Sequence, residues 1–128
     1  MTSTRIPADV AALLRGALYT QLAHACEDAP GTMPAAHSRA GWADLLEQIE
    51  GARTALDVIG WDAPGQPQDI EVELDRTMID ALKDDIDAWE WLTSEVTTES
   101  AKGRRRAAAK ATTIKRFLAS IERSTGDA

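Results

Sequence analysis

Four stretches of this chain repeat their apolar residues at intervals of three and four, which confines it to helices that bury those stripes against one another. The clearest stripe is Trp42, Leu45, Ile49, Ala52, Leu56 and Ile59. It predicts a second helix over 38–60, with Ser38 as N-cap, Leu46 widening the seam and Gly60 as C-cap. Ahead of it, Pro7 and Asp9 open a first helix over 7–28 that buries Val10, Leu13, Leu14, Ala17, Leu18, Leu22 and Ala25. Pro30, Gly31 and Pro34 mark the connection between the two. After a second loop at Pro64, Gly65 and Pro67, a third helix is expected over 68–95, burying Leu74, Met78, Ala81, Leu82, Trp89, Leu92 and Val96. Asp69, Glu71 and Glu73 would favour its positive N-terminal end, although Ile70, Val72 and Leu74 alternate as a strand does and allow a short extended lead-in. Residues 93–100, rich in hydroxyl and β-branched side chains, weaken the helix without breaking it. A fourth helix over 99–123 then buries Ala107, Ala111, Ile114, Phe117, Leu118 and Ile121.

With no convincing strand run, the expected fold is all-α: one domain over residues 1–128, arranged as an antiparallel, up-and-down four-helix bundle. A chain of 128 residues with 44% apolar and 27% charged residues can bury a core without disulfides or metals. Cys26 is the single cysteine, and its place opposite the first helix's core arc reads as a small hydrophobe. No signal-peptide pattern or long apolar run is present, so the cytoplasm is the expected compartment, and a net charge of −7 disfavours anionic membranes and nonspecific nucleic-acid binding. Gly16 and Gly51 each interrupt a helix at about 1 kcal/mol relative to Ala, as close-approach points between helices or as exposed positions.

Polar residues on core stripes are the candidates for chemistry. Gln21, His24 and Asp28 share the helical arc of Val10, Leu14 and Ala17, Asp85 lies within the stripe of Met78, Leu82 and Trp89, and Arg53 flanks the second helix's seam. A buried carboxylate requires a partner, so Arg53 or His24 is expected beside Asp85. Such a cluster forms a small-molecule pocket, a metal site or a purely structural network. A metal is not assigned, because only one histidine lies on a core face and no Glu-x-x-His or His-x-x-x-His pair occurs; His37 falls in a loop. No catalytic residue and no cofactor are assigned, since phosphate-loop, nucleophile-elbow and zinc-ligand patterns are all missing.

The charges are sorted into blocks. Residues 69–99 hold eleven carboxylates against Arg76 and Lys83, a balance of −9, and residues 102–123 hold eight cations against Glu122, a balance of +7. Such neighbours attract each other, with Asp80, Asp84, Asp87 and Glu90 facing the basic helix, or attract the same helices of a partner. Trp91 falls opposite the core stripe and Trp61 lies in a loop, which together with Arg104, Arg105 and Arg106 marks an association surface. The leading expectation is therefore a protein that works by association, as a homodimer or with a protein partner. The alternative is a ligand-binding bundle using Gln21, His24, Asp28, Arg53 and Asp85. A second alternative, nucleic-acid binding through the fourth helix, lacks aromatic interleaving and a helix-turn-helix signature.

Overall fold

The computed structural model describes residues 3–28, 39–62, 65–94 and 100–126, with side chains over 3–25, 43–62, 65–94 and 100–123. The fold is mostly helical: α1 (Ala8–Asp28), α2 (Arg39–Ile59), α3 (Arg76–Trp91) and α4 (Ala101–Gly126). The loop residue His37, the cap Ser38 and most of the weak stretch before the fourth helix fall outside the described residues, as do the side chains of Cys26, Asp28 and Trp42.

The mostly helical fold carries one small addition, two short strands, β1 (Thr4–Ile6) and β2 (Ile70–Val72), paired antiparallel with Ile6 opposite Ile70 and Thr4 opposite Val72. Of the alternation at Ile70, Val72 and Leu74, the strand uses the first two and ends before Leu74. Ile6 and Val72 turn into the core, while Arg5 and Glu71 face outward directly across from each other. A lone two-stranded ribbon is marginal in water, so this one depends on the helices its inner face covers. Asp69 is accordingly displaced from the role expected of it. Its Oδ1 accepts from the Ala8 amide at 2.9 Å and its Oδ2 pairs with Arg5 at 3.1 Å, so this carboxylate caps α1 rather than α3. α3 begins instead at Asp75, an extended N-cap whose Oδ1 accepts from the Met78 amide at 2.9 Å. Ser100 caps α4 likewise, accepting from the Gly103 amide at 3.0 Å.

One core joins the elements: Ile6, Val10, Leu14 and Leu18 meet Leu56, Ile59, Met78, Leu82, Ile114 and Phe117. α1 is the central helix, packed on α2 and on α3, while α4 packs chiefly on α3 and more lightly on α1. Leu46 does not widen the α2 seam and stands 58% exposed, because Leu45, Ala52, Ala55, Leu56 and Ile59 already define the buried face. Gly51 is a close-approach point, since a Cβ there would sit 3.1 Å from Thr77 Oγ1; Gly16 is not, since a Cβ would meet nothing within 4 Å. Among the described residues the buried charged side chain is Arg15, 8% exposed, whose Nε and Nη2 donate to the carbonyls of Gly60 and Ile59 at 2.9 and 3.2 Å. A guanidinium at the negative end of α2 satisfies carbonyls the helix itself leaves open.

Candidate functional site

Along one flank of α1 the sequence places Asp9, Leu13, Gly16 and Thr20 at intervals of three and four. With a glycine in that row and Ala109 on the facing helix, α4 does not close onto α1. An open-sided groove of about 560 Å³ remains between α1, α3 and α4, within the size range of small-molecule sites. Its polar groups are Asp9, Thr20, Asp85, Lys110 and Thr113, and its apolar wall includes Leu13 and Trp89.

The organising residue is Asp85. It lies half-buried on α3, and Trp89, one turn later, donates its indole Nε1–H to Asp85 Oδ2 at 2.7 Å. From α4, Lys110 lays its ammonium over the Trp89 ring, 4.3 Å from the centroid. Burial pushes the Asp85 carboxyl above the ordinary carboxylate range, and the Trp89 hydrogen bond and the Lys110 charge draw it partly back. Beyond Asp85 and Thr20, which line both, lies a second hollow of about 270 Å³ reached by Gln21, His24, Gln48 and Asp84. There Gln21 Oε1 is buried with no hydrogen-bond donor among the described residues.

The structure therefore brings Gln21, His24 and Asp85 to one hollow, but as a rim open to solvent rather than a sealed internal cluster. His24 is exposed, and the expected pairing of Asp85 with His24 or Arg53 is replaced by Trp89 and Lys110. Arg53 stands exposed on α2 and lines neither hollow, because its neighbours Ala52, Ala55 and Leu56 take the buried face. The side chain of Asp28 lies outside the described residues. Lys110 and Gly16 were missed as site residues, although the spacing signal was present: Lys110 is three residues after Ala107 and four before Ile114, so it must lie beside the inner stripe of α4. Among the described residues no group of three or more His, Cys, Asp or Glu could hold a metal ion, and no helix is long and apolar enough to cross a membrane.

The expected association residues divide. Trp91 is 61% exposed. Trp61 is half-buried and fixed: its Nε1 donates to Asp57 Oδ1 at 2.6 Å, its carbonyl accepts from the Tyr19 hydroxyl, and its ring meets Tyr19 edge-on at 5.9 Å. Arg105 and Arg106 are exposed and Arg104 is half-buried. Of the carboxylates expected to face α4, Glu90 pairs with Lys115 at 3.1 Å, whereas Asp80 pairs within its own helix with Arg76 at 3.7 Å, and Asp84 and Asp87 are exposed.

Comparison of the chain with protein-family models, with curated proteins and with solved structures returned no match.

Proposed function

We propose that this chain is a small-molecule-binding helical domain whose site is the groove between α1, α3 and α4. The observation that carries the reading is the pairing of an open apolar groove with a half-buried carboxylate on its wall, held by one indole whose ring face carries an ammonium. A carboxylate is costly to desolvate, and a chain that only needed a core would gain by replacing it with an apolar residue. Few polar groups converging on an apolar wall is the usual composition of a ligand site. The packing of α1 on α2 and α3, and of α3 on α4, supports an up-and-down bundle as the frame of this site.

The test is a fragment screen by ligand-observed NMR against wild type and Gly16→Leu, in which a side chain is built into the groove from a position where a Cβ touches nothing. Fragments that bind wild type and not the variant, with unchanged circular dichroism, support the reading. A library with no Gly16-dependent binder removes it.

Association remains a second reading on one observation, the 61% exposure of Trp91 at the end of α3 beside a helix carrying exposed Arg105 and Arg106.

A further inference from the structure

Between apolar walls, most of the polar groups of the groove and its neighbouring hollow accept hydrogen bonds or attract cations. Asp9, Asp84 and Asp85 bring three carboxylates, and Gln21 Oε1 is a buried acceptor without a donor among the described residues. Asp85 accepts only the Trp89 indole among the described residues, which leaves its second oxygen for another donor. The face of Trp89 already holds a cation, supplied by the chain itself. That cation is Lys110, an exposed residue on a flexible four-carbon stem, with no ion pair to Asp85 within 4.0 Å. An indole face and a half-buried carboxylate side by side form a receptor for ammonium, and the lysine rests in it as a weakly held internal substitute.

Resting on the ligand-binding reading above, we propose that the occupant is an organic ammonium ion with an apolar body. Its charged nitrogen displaces Lys110 Nζ from the Trp89 face, sits closer to Asp85 than that ammonium does and donates to it, and its apolar part lies along Leu13, Ala12 and Ala109. Lys110 then sets the affinity by competing for the same place, so that the free protein keeps the Trp89 face covered. An anionic ligand would meet Asp9 and Asp85 with a single cation to oppose them. A neutral one could donate a hydrogen bond but would bring no positive charge to the carboxylate or to the indole face.

Isothermal titration calorimetry with 2-phenylethylamine, 2-phenylethanol and 3-phenylpropionate, three probes of similar shape and different charge, tests this on wild type, Asp85→Asn and Lys110→Met. The amine is expected to bind most tightly. Asp85→Asn should weaken it about tenfold, and Lys110→Met, which keeps the stem and removes the charge, should tighten it by a similar factor. Lys110 is exposed, so that variant folds and carries the test even where Asp85→Asn does not. Equal or tighter binding of the alcohol or the acid, no binding of the amine, or no gain on Lys110→Met overturns the ammonium inference. If fragments still bind in a Gly16-dependent way, the ligand-binding reading survives that result; if none do, both fall.

Discussion

At the scale of single residues, the unusual positions are ions and glycines placed where apolar or branched residues would be ordinary. Arg15 occupies the spacing Ala11, Arg15, Leu18, Leu22 on the face that α1 turns to α2, a row that reads as apolar but for the arginine. Its two bonds to the Ile59 and Gly60 carbonyls explain the exception. Replacement by Met keeps the stem and orphans both carbonyls, so Arg15→Met should lower stability by about 2–4 kcal/mol in denaturant titrations. Gly60, with φ of +97°, should lose about 1–2 kcal/mol on substitution by Ala, because a Cβ is disfavoured in that region whatever space surrounds it. Asp85 behaves in the opposite sense. Its carboxyl is raised above its unfolded value, so the folded chain binds that proton more tightly and the ionised form opposes folding at neutral pH. The penalty fades as the pH falls through the carboxylate range. Asp85→Asn should therefore raise the melting temperature at pH 7, and its advantage over wild type should close as the pH is lowered, followed by thermal denaturation across pH. A variant that is more stable and binds worse is the signature of a group retained for binding.

At the scale of elements, the helices were legible because their stripes repeat over many turns, and the errors fell where a short segment answers to something distant. The strand alternation at Ile70 and Val72 is visible in the sequence, but its partner Thr4–Ile6 lies more than sixty residues away and three residues carry almost no periodic signal. The same distance hid Asp69: local rules assign an acidic residue to the helix that follows it, whereas this one serves the helix sixty residues earlier. Asp69→Ala should cost about 1 kcal/mol by leaving the first turn of α1 uncapped, and hydrogen exchange should localise the loss to residues 8–11 rather than to α3. The candidate site was legible in half. Wheel positions brought out Gln21, His24 and Asp85, but which polar neighbour reaches Asp85 depends on how α4 is placed beside α3, from which Lys110 reaches the Trp89 ring. No single helix contains that information.

For the whole molecule, the charge blocks do less between α3 and α4 than their balance of −9 and +7 suggests. Glu90 and Lys115 join the two helices, Lys110 turns to Trp89, and Asp84, Asp87, Arg105 and Arg106 stay exposed. Exposed pairs of this kind contribute about 0–1 kcal/mol, so the blocks bear on encounter with other molecules more than on stability. If they and Trp91 form an interface between copies, light scattering should give a dimer mass at low salt that falls to the monomer at high salt and in Trp91→Ala; a monomer in every condition removes that reading. The pairing of β1 with β2 also fixes an order of events during synthesis. Residues 4–6 are made before their partners and pair only when residues 69–72 follow, so α1 is made without its cap and waits through all of α2 for Asp69 to arrive. Any change at residues 4–6 acts on this late closing step, far from the segment that completes it.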